Sequence, residues 1–231
     1  MICVGGEDNG KSILLKLISA FLGPENISSR TLHSLTANQF ATADLYGKLA
    51  NVFADISSKK LADIETFKVL SSGDRISAEY KHQNSFEFEP HAKLIFSSNR
   101  LPIPSEDIDD LSYYKRWIII EFALREYCFF CDRKLVMDCD LIDKLTTEEE
   151  LSGLLNVVLI AAKRLFTRRR FTKSPRVQDI KNRYQALADP VKAWIDERCV
   201  LGPEYSGDKN LLRSDFILRQ CIRKGMGNST I

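Results

Sequence analysis

Residues 5–12 read Gly-Gly-Glu-Asp-Asn-Gly-Lys-Ser and combine glycines with a lysine and a serine at an informative spacing. Gly5, Gly6 and Gly10 allow the backbone to turn its N–H groups inward around an anion. Lys11 adds a full positive charge, and the hydroxyl of Ser12 is placed to ligate Mg²⁺. The spacing fits G-x-x-x-x-G-K-[ST], so it predicts a phosphate loop that holds the β- and γ-phosphates of a nucleoside triphosphate such as ATP.

The sequence on either side of the phosphate loop, residues 5–12, agrees with this interpretation. An apolar run at residues 2–4 leads into the loop, and an apolar-periodic helix over residues 13–21 leaves it. Gly23 and Pro24 are typical of a helix end. The alternative is a glycine-rich turn that merely precedes an ordinary helix. Three further residues of the loop are expected to line the nucleotide: Glu7, Asp8 and Asn9.

Two later apolar segments end in polar residues. Residues 49–56 contain Asp55, and residues 92–99 end in Asn99. In an open α/β sheet the carboxyl ends of such strands lie near the phosphate loop. There Asp55 can hold Mg²⁺, and Asn99 can orient a water molecule against the γ-phosphate. Considered alone, an aspartate here more often just ends a strand, but the phosphate loop upstream favours the metal-binding interpretation.

Three segments between these strands have patterns of their own. Residues 36–39 resemble a capping box that opens a short helix, and residues 58–70 have helical spacing. Residues 75–88 alternate on both sides of a polar tip, which predicts a β-hairpin. Lys81 and His82 at this tip are candidates to contact a nucleic-acid phosphate backbone, and the alternative is an exposed charged turn.

A basic pair precedes the next apolar segment. Lys115 and Arg116 lead into residues 117–122, which we interpret as a further strand. Residues 104–111 before them are acidic and rich in turn formers, which indicates a surface loop. Strands that alternate with helices around a phosphate loop predict an α/β fold with a parallel central sheet flanked by helices.

The composition is that of a globular chain and limits the function classes. The 231 residues are 44% hydrophobic and 28% charged. A net charge of +2 is too small to indicate nucleic-acid binding by itself, so any basic surface must be local. No apolar run approaches the roughly 20 residues of a membrane span, and no signal peptide is visible. A cytoplasmic location is therefore the default expectation.

The six cysteines are scattered, and most lie in apolar surroundings, so we expect reduced core thiols. Cys128, Cys131 and Cys139 are the exception, because together they can supply three thiolates to zinc. A fourth ligand is not evident, since the three histidines lie well upstream. The alternative for these three cysteines is core packing or a loop.

Beyond about residue 140 the sequence becomes helical. Helical patterns cover residues 147–166, 177–187, 191–200 and 211–224. The first of them runs into a basic cluster that consists of Arg164, Arg168, Arg169, Arg170 and Lys173. This cluster is consistent with a DNA-facing patch and equally with cations that stabilise a helix C-terminus.

Five segments occur in a specific order. They are the phosphate loop ending Asp-Asn-Gly-Lys-Ser12, Phe40-Ala-Thr-Ala-Asp-Leu-Tyr-Gly-Lys-Leu-Ala-Asn-Val-Phe-Ala-Asp55, Phe67-Lys-Val-Leu-Ser-Ser-Gly-Asp74, Ala92-Lys-Leu-Ile-Phe-Ser-Ser-Asn-Arg-Leu-Pro102 and Lys115-Arg-Trp117. This set resembles the ATPase domain of phage- and plasmid-type, poxvirus-like primase–helicases, in helicase superfamily 3 of the AAA+ ATPases. The resemblance covers roughly residues 1–125 densely and continues more loosely to the end.

The resemblance implies a ring hexamer that translocates on single-stranded or forked DNA, uses ATP and Mg²⁺, and works with a primase domain or protein. By the same resemblance, Asp55 is the Walker B acid, Asn99 is the sensor of the attacking water, and Arg116 is the arginine finger that reaches a neighbour's γ-phosphate. Lys81 and His82 match the hairpin that grips DNA in the central channel. The Walker A residues are Gly5, Gly10, Lys11 and Ser12.

The sequence departs from this family in three places. Ala54 stands where many relatives have a second carboxylate, which leaves the catalytic base open. The chain begins within the first strand, where relatives carry a helical collar, and it ends within what resembles a winged-helix domain. We divide it into an ATPase core at residues 1–140, a helical extension at 141–188 and a partial winged-helix-like domain at 189–231.

The leading hypothesis from sequence is an ATP-dependent DNA helicase or translocase that acts in virus or plasmid replication. One alternative is a truncated fragment of a primase–helicase that binds nucleotide or DNA without unwinding. The other is a P-loop small-molecule kinase, which would need an arginine-rich lid acting within one subunit.

Overall fold

The computed structural model describes residues 1–6, 9–61, 63–103, 111–122, 127–128, 133–134, 138–171, 175–202 and 204–223. The strands are β1 Ile2–Gly5, β2 Ile27–Ser28, β3 Ala50–Phe53, β4 Ile76–Ala78, β5 Phe86–Phe88, β6 Lys93–Ser98, β7 Ile119–Phe122, β8 Tyr127–Cys128 and β9 Arg133–Lys134. The helices are α1 Lys11–Leu22, α2 Leu32–Ala37, α3 Gln39–Ala43, α4 Ile64–Ser72, α5 Leu111–Tyr114, α6 Leu141–Leu145, α7 Glu148–Arg168, α8 Val177–Ala188, α9 Pro190–Arg198 and α10 Lys209–Arg223.

Five parallel strands form the central sheet in the order β2-β3-β6-β1-β7. Cys3 in β1 lies opposite Ser97 in β6 and Ile120 in β7. Ile2 and Cys3 are fully buried, as a parallel sheet covered on both faces requires. The predicted α/β fold with a parallel central sheet flanked by helices is therefore confirmed.

Helix α1 follows β1 after the phosphate loop and packs on the sheet. Its Leu15 forms an apolar cluster with Ala50 and Val52 of β3. The helix ends at Gly23, which adopts a φ of 84° and donates its N–H to the carbonyl of Ser19 at 3.1 Å. A positive φ favours glycine, so the predicted helix end is confirmed.

The short helix predicted to open at residues 36–39 begins slightly differently. Thr36 lies buried within α2, where its hydroxyl donates to the carbonyl of Leu32 at 3.1 Å. Asn38 instead caps α3, because its side-chain oxygen accepts the N–H of Phe40 at 2.9 Å. The capping-box interpretation was therefore wrong by two residues.

Helix α4 also begins later than residue 58, where helical spacing starts in the sequence. Asp63 is its N-cap, and the carboxylate accepts the N–H groups of Glu65 at 2.8 Å and Thr66 at 3.3 Å. The Thr66 hydroxyl donates to the same carboxylate, and these bonds hold the pKa of Asp63 below its usual value. The capping aspartate decides the start of the helix, since it satisfies N–H groups that have no partner within the helix.

An aromatic cluster joins helices α4, α5 and α8 beside the sheet. Phe67 stacks on Trp117, with ring centroids 4.9 Å apart, and Tyr113 packs edge to face on Tyr184 at 5.6 Å. The Tyr184 hydroxyl donates to the carbonyl of Pro102 at 2.7 Å, so the Tyr113 hydroxyl, 2.8 Å away, is left to donate to Tyr184. Burial raises the pKa of both tyrosines well above the ordinary value.

Strands β4 and β5 form the predicted hairpin as a separate antiparallel pair, with Ile76 opposite Phe88. Aromatic side chains anchor it: Tyr46 packs edge to face on Phe86 at 5.3 Å and on Phe88 at 5.5 Å. The Tyr80 hydroxyl also donates to the carbonyl of Ala43 in α3 at 3.1 Å. The hairpin is thus fixed against the turn after α3.

Helix α7 has a different environment from the other long elements. Thr147 caps it by accepting the N–H of Glu150 at 3.3 Å, and it packs against α6. None of its 21 residues is buried, although the helix is rich in Leu, Val and Ile. The predicted long helix is therefore confirmed, and its apolar side chains remain largely exposed.

Helices α8, α9 and α10 match the three shorter helical segments predicted near the end. Trp194 of α9 donates its indole N–H to Asp215 of α10 at 2.8 Å and packs on Phe216. Among the described residues, every helix is too short or too polar to cross a lipid bilayer.

Candidate nucleotide-binding site

Lys11 is the central side chain of the phosphate loop. It is the first residue of α1, is only 5% exposed, and points its ammonium group back into the loop. The ammonium donates to the carbonyl of Gly5 at 2.9 Å, to the side-chain oxygen of Asn9 at 2.9 Å, and to the carbonyl of Gly6. These three acceptors match the three donors of an ammonium group. A positive charge is therefore fixed where the sequence predicts phosphates to bind.

Gly5 is required by a close approach of the neighbouring strand. A Cβ at this position would lie 2.2 Å from the carbonyl oxygen of Phe122, the last residue of β7, and 2.2 Å from the Asn9 amide nitrogen. That amide donates to the same Phe122 oxygen at 2.9 Å. Asn9 thus ties the loop to β7 with one end of its amide and holds Lys11 with the other.

Gly10 brings the loop into α1. Its φ of 86° lies in the left-handed region, and it caps the helix without a side-chain hydrogen bond. The first N–H groups of α1 therefore face the loop, where the positive end of the helix dipole favours an anion. Ser12, in the first turn, is exposed and available to a ligand.

Asp55 lies two residues beyond the end of β3, in an exposed turn. Its φ of 53° is unusual for a residue other than glycine. The Asp55 N–H donates to the hydroxyl of Ser97 at 3.2 Å, and the next N–H, from Ile56, donates to the carbonyl of Ser97 at 2.9 Å. The turn that carries the acid is therefore held against β6.

Asn99 follows β6 directly and is exposed. In the sheet register Val4 lies opposite Ser98, so continuing one residue brings Asn99 beside Gly5 of the phosphate loop. Strand β6 lies between β1 and β3, and neighbouring strands are about 4.8 Å apart. The structure thus places the phosphate loop, Asn99 and Asp55 beside the carboxyl ends of three neighbouring strands. We call this end of the sheet the loop edge.

Arg116 is not part of this group. It precedes β7 by three residues, and β7 ends beside the phosphate loop, where Phe122 lies opposite Gly5. Arg116 therefore lies at the amino-terminal end of the strands, opposite the loop edge. Its guanidinium binds the end of α4, at 2.9 Å from the Ser72 hydroxyl and 3.4 Å from the carbonyl of Lys68.

The hairpin tip is also separate from the loop edge. Lys81 and His82 are exposed, and His82 has a φ of 65°. The N–H of Gln83 donates to the carbonyl of Tyr80 at 2.9 Å and closes the tip. The hairpin therefore presents a basic tip on an aromatic base, and its role in DNA contact stays a prediction.

Several predicted residues lie outside the described part of the chain. Glu7 and Asp8 of the phosphate loop are among them, as are Cys131 and the side chain of Cys128, so the zinc hypothesis also lies outside it. Of the cysteines with described side chains, Cys3 is a core thiol as predicted, and burial raises its pKa. Cys199 is partly exposed, so for this residue the core prediction was wrong, and Cys139, one of the three candidate zinc ligands, is exposed.

The residues at the loop edge fit a magnesium nucleotide. Mg²⁺ prefers oxygen ligands and is often held by one or two protein groups together with phosphate oxygens and water. Ser12 offers a hydroxyl and Asp55 a carboxylate, and both are exposed at this edge. Within the described residues, no set of three or more His, Cys, Asp and Glu side chains forms a metal cage.

Three contacts at this edge were not predicted. The hydroxyls of Ser97 and Ser98 bind the turn after β3, and the Asn9 amide binds β7. The signal available in the sequence was the pair of serines that ends an apolar strand directly before Asn99. Their partners in the turn after β3 are 42 residues away, which the sequence pattern does not reveal.

Comparison with known proteins gives a family match and several likenesses of fold. Residues 3–116 match a family described as "Family of unknown function (DUF5906)". No curated protein matches the chain. One similar solved structure is the apo A form of the NrS-1 C-terminal region, at 20% identity and a TM-score of 0.46, covering 65% of this chain. Another is JCV helicase bound to a small molecule, at 17% identity and a TM-score of 0.36, with 52% of this chain and 34% of that chain covered. The chain spans about a third (33%) of the NrS-1 region that it matches.

Proposed function

We propose that this chain is the ATPase region of a DNA helicase or translocase of superfamily 3, acting in virus or plasmid DNA replication. The observation that supports this most is the meeting of three turns at one edge of the parallel sheet. These turns carry the phosphate loop with its buried Lys11, the carboxylate of Asp55 and the amide of Asn99.

Each of these groups has a role in phosphoryl transfer to water. The loop N–H groups and Lys11 would bind the phosphates of ATP, and Ser12 and Asp55 would hold Mg²⁺, which would supply positive charge to stabilise the phosphate oxygens. Asn99 orients the attacking water beside the loop. Ala54 offers no second carboxylate, so we assign no general base.

The position of Arg116 supports a site shared between subunits. Because it lies at the sheet edge opposite its own phosphate loop, its natural target is the site of a neighbouring copy in a ring. An arginine supplied in this way can be worth about 10³–10⁵ in rate. A small-molecule kinase would need such an arginine at its own site, so the arrangement favours the oligomeric ATPase, with a hexamer as the proposed assembly.

DNA is the proposed nucleic acid on which this helicase or translocase acts. Lys81 and His82 at the hairpin tip would contact phosphates of single-stranded or forked DNA, which predicts binding that depends on salt and little on sequence. A primase domain or protein is the proposed partner.

The test measures ATP hydrolysis with and without single-stranded DNA, together with particle mass by light scattering. We expect hydrolysis stimulated by DNA in a particle of about six copies, and none with Lys11→Ala, because the charge that binds the phosphates is lost. Robust hydrolysis by Lys11→Ala would contradict the site. A chain that binds nucleotide and DNA without hydrolysis would favour the alternative of a non-unwinding fragment.

Subunit sharing is tested by mixing two inactive variants. Lys11→Ala and Arg116→Ala should each lack activity, whereas their mixture should recover part of it, since some interfaces combine an intact Lys11 with an intact Arg116. Ser72→Ala is the control, because it removes one contact of Arg116 within its own chain and leaves the guanidinium. No recovery in an oligomeric mixture would exclude the shared site.

A further inference from the structure

Two neighbouring serines at the end of β6 connect the turn of Asp55 with the turn of Asn99. Ser97 is fully buried and Ser98 is 2% exposed. They follow Phe96, which is also fully buried, and they directly precede Asn99. A buried hydroxyl is unfavourable unless it is hydrogen bonded, so the partners of these two groups indicate why serines occupy this place.

Ser97 holds the backbone of Asp55. Its hydroxyl accepts the Asp55 N–H at 3.2 Å, and its carbonyl accepts the N–H of Ile56 at 2.9 Å. Asp55 has a φ of 53°, and such a conformation persists only where the surroundings fix it. The two bonds to Ser97 supply that restraint on the backbone of Asp55.

Ser98 joins the same turn to the residues after β6. Its hydroxyl lies 2.9 Å from the carbonyl oxygen of Ile56, and it accepts the N–H of Arg100 at 3.2 Å. It also contacts the carbonyl oxygen of Arg100. One hydroxyl therefore bridges the residue after Asp55 and the residue after Asn99.

We propose that Ser97 and Ser98 are positioning residues that fix the Asp55 carboxylate and the Asn99 amide relative to each other. The inference rests on the proposed function in giving Asp55 to Mg²⁺ and Asn99 to the water. These hydrogen bonds restrain both turns before any ligand binds. Residues that orient a metal ligand in this way are typically worth about 10–100-fold in metal affinity or activity.

The experiment compares Ser97→Ala with a serine of the same turn. Ser57→Ala is the matched control, because Ser57 is exposed and its hydroxyl accepts the N–H of Lys59 rather than binding β6. The first measurement is hydrogen exchange at the amides of Asp55 and Ile56 in the nucleotide-free chain. The second is the Mg²⁺ concentration that gives half-maximal ATP hydrolysis, with kcat, KM for ATP and the melting temperature.

For Ser97→Ala we expect faster exchange at the Asp55 amide, a roughly tenfold higher Mg²⁺ requirement and a lower kcat, with KM for ATP within about twofold. Ser57→Ala should behave as wild type. Ser98→Ala should show a smaller effect in the same direction, because the Ser97 bonds remain.

Two conservative variants separate positioning from packing. Ser97→Thr keeps an oxygen acceptor and should restore the Mg²⁺ dependence, whereas Ser97→Cys keeps the size but offers only a weak acceptor and should resemble Ser97→Ala. If Cys behaves as wild type, or if exchange and Mg²⁺ dependence do not change in Ser97→Ala, the proposal is wrong.

If the ATPase assignment itself is wrong, the measurements give a different result. A wild-type chain that binds no nucleotide would overturn the ATPase assignment, and with it the catalytic role of the serines. The exchange comparison would still report whether Ser97 restrains the Asp55 turn. Faster exchange together with normal Mg²⁺ dependence would overturn the positioning role alone.

Discussion

The central sheet and helix α7 are both rich in Leu, Ile and Val, but the sheet buries these side chains and α7 leaves them in solvent. Ile2 in β1 is fully buried, whereas Ile160 in α7 is 71% exposed. The sheet is flanked by helices and by the aromatic cluster around Tyr184. Helix α7 packs against α6, which in turn packs against α1.

This difference shows that an apolar pattern predicts which side chains share a face but not what covers them. The phosphate loop edge is completed by bonds within the chain, through Asn9 and Ser97. The apolar face of α7, by contrast, includes Leu155, Val158 and Leu159, which are 46%, 39% and 56% exposed. An exposed apolar surface of this kind is typical of a contact site.

The largest effect is expected where α8 joins the core. Tyr184→Ala should lower the free energy of unfolding by about 3–5 kcal/mol, because it removes a fully buried ring and leaves the Tyr113 hydroxyl without its acceptor. Urea unfolding followed by tryptophan fluorescence measures the change. Tyr184→Phe is the control and should cost about 1–2 kcal/mol, since only the hydroxyl is lost. A loss below about 1 kcal/mol for the alanine variant would mean that α8 is not part of the core.

The next largest effect is expected for alanine at Gly5, in the phosphate loop, and we compare it with alanine at Gly153 in α7. Gly5→Ala should destabilise the chain by about 1–3 kcal/mol and weaken nucleotide binding, because the Cβ would overlap the Phe122 carbonyl. Gly153→Ala in α7 meets open space and should stabilise the chain by about 0.5–1 kcal/mol. Thermal unfolding and binding of a fluorescent ATP analogue measure both. Equal effects of the two substitutions would contradict the close approach of Phe122 to Gly5.

A smaller effect is expected for exposed polar surfaces. Lys81→Ala with His82→Ala should weaken binding of single-stranded DNA by about threefold to tenfold and reduce its salt dependence, because phosphate contacts are lost. Arg168→Ala with Arg169→Ala at the end of α7 is the comparison pair. Fluorescence anisotropy at several salt concentrations measures both. If only the α7 pair weakens binding, the basic end of α7 rather than the hairpin contacts DNA.

The smallest effect is expected on the exposed face of α7. Ile160→Glu should change the free energy of unfolding of the isolated chain by less than about 0.5 kcal/mol, since this side chain is already in solvent. Phe96→Ala in β6 should cost about 3–5 kcal/mol, because its ring is fully buried. A loss above about 1 kcal/mol for Ile160→Glu would show that the face of α7 is covered in solution.

Much of the sheet was predictable because its signals are local. The apolar run before Gly5, the helix after Ser12 and the hairpin at residues 75–88 all match the structure. The loop edge was predictable as well, because parallel strands place their carboxyl ends together, and Asp55 and Asn99 each follow such a strand.

Other features were missed because they depend on contacts between distant parts of the chain. The start of α4 is decided by the cap at Asp63, which overrides the apolar spacing that begins earlier. Tyr184 was assigned to a helical extension by pattern, yet its hydroxyl binds Pro102 and Tyr113 in the core. The same pattern could not tell that the apolar face of α7 would remain exposed.

The sequence by itself determined the glycine turn and the charge at residues 5–12, because the backbone freedom of glycine and the charge of Lys11 act over a few neighbouring residues. It also determined the strands that deliver Asp55 and Asn99, since their apolar patterns are continuous. Only the tertiary structure decided that Ser97 restrains Asp55, that Asn9 ties the loop to β7, and that Arg116 lies at the far edge. These relations depend on the order of strands in the sheet, which brings together residues separated by many positions in the chain.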